Sequence, residues 1–171
     1  MSFSLQITTK DNRKLAKGLN ELQDKFGRAG RKSMMKATMI QLRGWVGKNF
    51  QKEGGEHKNS SLKWKGLSPV TIANRRQKSS VILNDTGQLR NKWKVRATSN
   101  SGVLQSEQNY SSIHEDGGVS TITHRYGVRL KNPVTINVPQ RKIFPDKSQA
   151  DQIILSSANA FINHAVRKYL K

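Results

Sequence analysis

Residues 63–90 carry the densest set of structural signals in the chain and constrain what its neighbours can form. An aromatic residue, Trp64, stands just before Ser68-Pro69. A serine hydroxyl can cap the first turn of a helix, and proline is well tolerated at the first helical position. The pattern therefore predicts a short helix that begins at Ser68-Pro69 and ends near Arg75-Arg76, whose positive charges suit its C-terminus.

A turn cluster follows this helix. Leu83 leads into Asn84-Asp85-Thr86-Gly87, all residues that favour turns, and Gln88-Leu89-Arg90 then restarts regular structure. Glycine adopts positive φ angles without steric cost, so Gly87 is expected to lie in the left-handed region.

Two helices are predicted before this segment, after a strand at residues 3–8 with alternating apolar side chains. The first helix begins at Asp11 and carries apolar residues in one stripe: Leu15, Leu19, Leu22 and Phe26. The second runs from about Arg31 to Lys52, and its stripe is Met35, Met39, Leu42, Val46 and Phe50. A methionine-rich stripe suits either an adaptable binding surface or a core, and the core is favoured here.

Strands are predicted after residue 90. Residues 93–98 and 103–105 read as a hairpin, and residues 119–128 and 134–138 read as two further strands. Residues 110–118 form a turn or short helix. A last helix is predicted from a capping box formed by Ser148 and Asp151. Its apolar stripe consists of Ile154, Ala158, Phe161, Ile162, Ala165 and Tyr169. The predicted core includes Leu19, Leu42, Val46, Phe161 and Ala165.

These elements predict an α+β fold in which an antiparallel β-sheet packs with the N-terminal helices and a C-terminal helix. The length, 171 residues, predicts a single domain over residues 1–171. A polar, glycine-containing loop at 53–63 is expected to be mobile. The chain has no cysteine, no apolar run long enough for a membrane span and no signal-peptide pattern, so no membrane partner is expected.

Positive charge dominates the composition. The formal net charge is +20, and residues 1–100 account for +16 of it, with 22 basic and 6 acidic residues. A field of this size implies an anionic partner, either nucleic acid or an acidic protein face. The charge could instead serve solubility alone, although net charges of about 2–8 already suffice for a small domain.

Three segments, in order, carry a resemblance to a known family. The first is Trp64 with Leu-Ser-Pro-x-Thr at 67–71, an arginine, and Ile-Leu-x-x-Thr-Gly-x-Leu-Arg at 82–90. The second is Tyr110-x-x-Ile113-His114-x-x-Gly117, and the third is Pro139-x-Arg141-x-x-Phe144. Together they resemble the phage virion morphogenesis family, the tail-completion proteins of tailed phages. The family's Leu-Gly step after that phenylalanine is replaced here by Pro145-Asp146, so the following loop is expected to differ.

The resemblance implies a structural protein that completes the tail or joins tail to head at the neck. It implies a homo-oligomeric ring, with a hexamer as one candidate, that contacts tail tube and connector or neck proteins, and DNA in its lumen. It places the protein in the virion after assembly in the host cytoplasm. The resemblance also assigns structural roles to the motif residues, which are Trp64, Leu67, Thr71, Arg75, Leu83, Thr86, Gly87, Leu89, Tyr110, His114, Gly117, Pro139, Arg141 and Phe144.

No pattern in the sequence indicates catalysis, a metal site or a cofactor. His114-Glu115-Asp116 could form a weak metal or acid–base cluster, but a turn with a hydrogen-bonded histidine is favoured. The acidic residues are scattered without the clustering that a magnesium-dependent nuclease needs. We therefore expect a protein that is not an enzyme and binds no cofactor.

Basic residues alternate with tryptophan at 63–65 and 92–94, a pattern that suits phosphate contact with base stacking. The alternation equally suits a buried tryptophan between exposed lysines, which is favoured for Trp93. The candidate contacts with an anionic partner are Lys63, Lys65, Arg75, Arg76, Arg90, Lys92 and Lys94. A basic nucleic-acid-binding protein without catalytic activity is therefore the alternative to an assembly protein.

Overall fold

The computed structural model describes residues 26–75, 79–125 and 128–169, together with positions 17, 20, 21 and 24. The predicted strand at 3–8, most of the predicted first helix, and Leu19 and Arg76 lie outside the described residues. Within them, the helices are α1 (Arg28–Gln51), α2 (Pro69–Ala73), α3 (Gln88–Asn91), α4 (Ser111–Asp116) and α5 (Lys147–Tyr169), with a 3-10 turn at Ser60–Leu62. The strands are β1 (Trp93–Ala97), β2 (Gly102–Ser106), β3 (Gly118–Arg125) and β4 (Val128–Val138).

The predicted α+β class is confirmed. Its strands form two separate two-stranded antiparallel sheets, β1–β2 and β3–β4, where the sequence predicted one. The chain divides into two compact units, each built from separated segments: one from residues up to 41, 95–103 and 151 onwards, the other from 42–94 and 104–150. The prediction of a single domain over residues 1–171 stays a prediction.

The core of the second unit is built from α1 and from loops that pack on it. Val46 and Ile143 are fully buried, and the cluster continues through Phe50, Trp64, Ile82, Leu89 and Trp93. Two edge-to-face aromatic pairs stabilise it, Phe50 with Trp64 at 5.2 Å and Trp93 with Phe144 at 5.3 Å between ring centroids. The predicted burial of Leu42 and Val46 is confirmed.

The described residues of the first unit include two buried apolar side chains. Met39 and Ala165 are buried, as the two helix stripes predicted. Met39 packs against Gly102, where an added Cβ would lie 2.8 Å from the Met39 Cγ. Phe161 was predicted to lie in the core, but it is only half-buried, so this prediction is wrong.

The last helix begins differently from the prediction. The Asp146 carboxylate accepts a hydrogen bond from the Gln149 amide at 2.8 Å, and α5 begins at Lys147. The predicted capping box of Ser148 and Asp151 is therefore wrong, because the cap lies two residues earlier. Asp146 belongs to the Pro-Asp pair where the sequence departs from the family's pattern.

The loop after α1 is held by specific hydrogen bonds. The Gly54 amide donates to the Asn49 carbonyl at 2.9 Å, and the Glu53 carboxylate accepts the Ile82 amide at 2.9 Å. Gly54 has a φ of 88°, and an added Cβ there would lie 2.6 Å from the Trp64 ring. These anchors argue against mobility at the start of the 53–63 loop, although the mobility itself stays a prediction.

Candidate functional site

A pocket of about 410 Å³ lies in the second unit. Its walls come from four separated segments: α2 with the residues on either side of it, the turn before α3 with the first residues of α3, the region of α4, and the end of β4 with the residues that follow it. Because these segments are distant in sequence, the pocket exists only in the folded unit.

Most of the motif residues that carried the family resemblance line this pocket. They are Leu67, Thr71, Arg75, Leu83, Thr86, Gly87, Leu89, Tyr110, His114, Pro139 and Arg141. The others lie elsewhere: Trp64 is buried in the core, Phe144 packs against Trp93, and Gly117 ends α4 with a φ of 73°. An added Cβ at Gly117 would lie 2.9 Å from the Gln140 amide nitrogen, which keeps the chain before Arg141 close to α4.

Local sequence signals shape two walls. The Ser68 hydroxyl accepts the Thr71 amide at 3.2 Å, which caps α2 as predicted. Gly87 has a φ of 70°, which confirms the predicted left-handed turn and allows α3 to begin at Gln88. Leu83 also has a positive φ, 54°, a conformation that costs a non-glycine residue roughly 1–2 kcal/mol. Such strain is often stored at functional sites.

Arg141 is the central charged residue of the pocket. Arg141 is only 5% exposed, and its Nη2 donates a hydrogen bond to the Lys65 carbonyl at 3.2 Å. Its backbone amide donates to the His114 carbonyl at 2.7 Å, which ties it to α4. The buried Nε atom has no hydrogen-bond partner. Arg141 is therefore a buried cation whose hydrogen-bonding capacity is only partly used.

Hydrogen bonds hold the backbone of the three residues that follow Arg141. The Lys142 carbonyl accepts from Trp64 Nε1 at 2.9 Å, His57 Nε2 at 2.9 Å and Asn49 Nδ2 at 3.0 Å. The Glu115 carboxylate accepts the amides of Ile143, at 2.6 Å, and of Phe144. These contacts fix the backbone that presents Arg141 to the pocket.

Arg75 supplies the second cation. Its Nη1 donates to the carbonyls of Ser79 and Val81. Burial lowers the pKa of Arg141, and the nearby charge of Arg75 lowers it further. Burial also lowers the pKa of His114, with a further contribution from Arg141. Burial first, and the Arg141 charge second, therefore favour the neutral form of His114.

No carboxylate of the described residues forms an ion pair with Arg75 or Arg141. Asp85 lines the pocket but is exposed and makes no such pair. Glu115 is engaged with backbone amides and with Lys142, at 3.4 Å, so the His114-Glu115-Asp116 segment serves structure here.

Among the described residues, the other candidate contacts with an anionic partner do not converge on the pocket. Lys63, Lys65, Lys92 and Lys94 are exposed, Arg90 is half-buried, and Lys94 pairs with Glu107 at 2.5 Å. Trp64 and Trp93 are both buried, and the Trp93 Nε1 donates to the Leu89 carbonyl at 2.9 Å. The two Lys-Trp-Lys segments therefore present lysines but no ring for base stacking.

Sequence reasoning missed part of the pocket wall. Ile136, Asn137 and Val138, at the end of β4, line the pocket, as does Asp85. An alternating strand pattern shows which side chains share a face but not what that face borders, so no signal in the sequence identified them.

Comparison with known families identifies the class of this chain. The model of the phage virion morphogenesis family matches residues 10–163. The chain belongs to this family and is a phage virion-assembly protein. Neither a curated protein nor a solved structure gives a significant match to it. Within the part of the chain that the structure describes, no helix has the length and apolar character needed to cross a membrane.

Proposed function

We propose that this protein completes the phage tail, or joins the tail to the head at the neck, as a ring of identical subunits. The family match over residues 10–163 carries this proposal, because it covers nearly the whole chain. The partners are then tail tube and connector or neck proteins, and the protein acts without catalysis or a cofactor. Its place in the virion is the tail or the neck.

The β3–β4 hairpin supports an oligomer. Ile122 lies opposite Val134, and Ser120 lies opposite Ile136, so these residues share one face. Ile122 and Val134 are 37% and 51% exposed and are not among the residues that line the pocket, whereas Ile136 on the same face lines it. A two-stranded hairpin is only marginally stable by itself, so a partner that covers its apolar face would stabilise it.

The partner that we propose for this face is a neighbouring copy of the chain. Most soluble oligomers are closed and homomeric, and a heterologous contact between identical subunits generates a ring when the rotation closes. The opposite face of the hairpin is more polar, with Thr121 opposite Thr135, and suits water. One apolar and one polar face are expected where a hairpin packs against a neighbour on one side only.

Matched substitutions on the two faces test this interface. The Ile122→Thr/Val134→Thr double variant keeps β-branched residues but makes the apolar face polar, and it should dissociate the ring. Val119→Thr makes the same change on the opposite face, where Val119 is 64% exposed, and should leave the ring intact. Mass photometry and negative-stain images of the purified protein report the subunit number. A wild-type protein that stays monomeric, or equal effects on both faces, would contradict the proposed ring.

The phenotype of a phage that lacks the protein tests the place of action. Such a phage should still fill heads with DNA and still make tails, but electron micrographs should show the two unjoined. Empty heads beside normal tails would move the function to DNA packaging.

The second candidate function is nucleic-acid binding, and the net charge of +20 is the observation that favours it. Measuring duplex binding over a series of salt concentrations distinguishes nucleic-acid binding from the assembly role. Duplex binding by the monomer whose affinity falls steeply with salt would favour this alternative, because each phosphate contact releases counterions. A ring with little duplex affinity would favour the assembly role.

A further inference from the structure

We propose that the pocket around Arg141 and Arg75 binds a carboxylate of a partner protein, an Asp or Glu side chain that enters beside an apolar residue. This inference rests on the proposed assembly function, since it names the chemistry of the partner that docks at this site. The occupant is an acidic segment of another virion protein.

The first argument is the state of Arg141. Buried charges in proteins are normally paired, because an isolated charge in a poorly solvated site is costly. Arg141 is 5% exposed, its Nε is buried without a partner, and no described carboxylate pairs with it. A ligand carboxylate in the pocket would neutralise this cation.

The second argument is the presence of two guanidinium groups on one pocket. Arg75 and Arg141 both line it, and each is partly held by backbone carbonyls. The planar guanidinium fork matches a carboxylate in two parallel hydrogen bonds, which makes arginine the preferred residue for such recognition. The two positive charges repel each other when no anion is present. An anionic ligand would be attracted by both arginines and would relieve this repulsion.

The third argument separates a protein carboxylate from a nucleic-acid phosphate. The pocket is concave, and apolar side chains such as Leu67, Ile136 and Pro139 line it beside the arginines. Duplex phosphates lie on a convex backbone and are contacted by exposed basic side chains, whereas Arg141 is almost fully buried. An acidic side chain next to an apolar one fits both the charge and the lining.

Among the described residues that line the pocket, Asp85 alone is acidic, and it is exposed. Its negative charge repels an incoming carboxylate. Asp85→Asn is therefore expected to tighten carboxylate binding, and binding that weakens in this variant would contradict a carboxylate ligand.

The test uses 3-phenylpropanoate as a probe that carries one carboxylate and one apolar group. The full-length protein, with ¹⁵N in its arginines, is titrated while the Nε–H signals of Arg75 and Arg141 are followed by NMR. We expect a saturable shift of both signals with a dissociation constant in the millimolar range. The neutral isostere 3-phenylpropanamide and inorganic phosphate should give no comparable shift.

Two matched variants make the result specific. Arg75→Gln removes a half-exposed pocket cation and should weaken probe binding about tenfold or more, the loss typical of a charge-assisted hydrogen bond. Arg96→Gln removes the same charge from an exposed position on β1 and should leave binding unchanged. A native amide spectrum of each variant confirms that it folds, so the test does not depend on the buried Arg141 tolerating substitution.

Several outcomes would overturn the proposal. They are an absent shift, equal binding of the amide, tighter binding of phosphate, and equal effects of the two arginine variants. The experiment reports on the isolated chain, so its failure leaves the ring and the phage phenotype as separate results. A phage that needs no such protein would contradict the assembly role without changing what the pocket binds.

Discussion

Truncation of Ile143 tests whether the second unit is organised around the β4–α5 connector, residues 139–146, which carries Arg141. Ile143 is fully buried in the cluster formed with Val46 and Trp64. Ile143→Ala removes three carbon atoms, worth about 2.4 kcal/mol of transfer free energy at about 0.8 kcal/mol per buried group. The cavity that remains adds to this, so the total loss of unfolding free energy should fall within roughly 2–5 kcal/mol.

A graded series makes this prediction sharper. Ile143→Val removes one carbon atom and should cost roughly 0.5–1.5 kcal/mol. Urea unfolding followed by tryptophan fluorescence measures both, because Trp45, Trp64 and Trp93 all lie in or against this core. Val70→Ala, at a position that is 70% exposed, is the control and should stay within about 0.5 kcal/mol of the parent. If Ile143→Ala costs no more than this control, the connector is not part of the core and the reasoning fails.

Three further predictions concern backbone conformation, protonation and local order. Gly87→Val should destabilise the protein by roughly 1–2 kcal/mol, because a β-branched residue would be forced to a φ of 70°, whereas Gly87→Asn should cost less. Equal midpoints for these two variants in urea unfolding would contradict the turn. Because burial lowers the pKa of His114, the unfolded state binds more protons near its ordinary value of 6.5, so stability should fall as the pH is lowered through 6.5. The melting temperature between pH 5 and 8 measures this, and His114→Gln should reduce the dependence. Amide exchange at Gly54 should be slow because its N–H is bonded to the Asn49 carbonyl, and fast exchange would instead confirm a mobile loop.

Local signals in the sequence predicted local structure well. The Ser68-Pro69 start of α2, the left-handed Gly87 and the buried stripe of α1 each depend on residues within one or two turns of each other. Such features follow from capping, φ preferences and helical periodicity.

The errors lie where a choice between neighbouring residues depends on tertiary contacts. Ser148 and Asp151 formed a plausible capping box, yet Asp146 caps the helix. The apolar stripe of the last helix predicts one buried face on α5, yet Ile154 and Ile162 are 39% and 38% exposed. Sequence periodicity shows that a face is apolar but not whether the chain itself covers it.

The pocket could be predicted only in part. The motif residues were recognisable, but nothing in their spacing showed that α2, the turn before α3, α4 and the end of β4 enclose one cavity. Nor could the sequence show that Arg141 is buried without a carboxylate, because this depends on which side chains reach it in the folded unit.

Reconstitution of infectious particles tests the central claim most directly. An extract from cells infected by a phage that lacks this protein is supplemented with the purified protein, and infectious particles are counted. The proposed role predicts that the titre rises with added protein, and rises less at high salt, where exposed charges are screened. A full titre without the added protein would contradict the account, as would an unchanged titre with a correctly folded protein added to filled heads and complete tails.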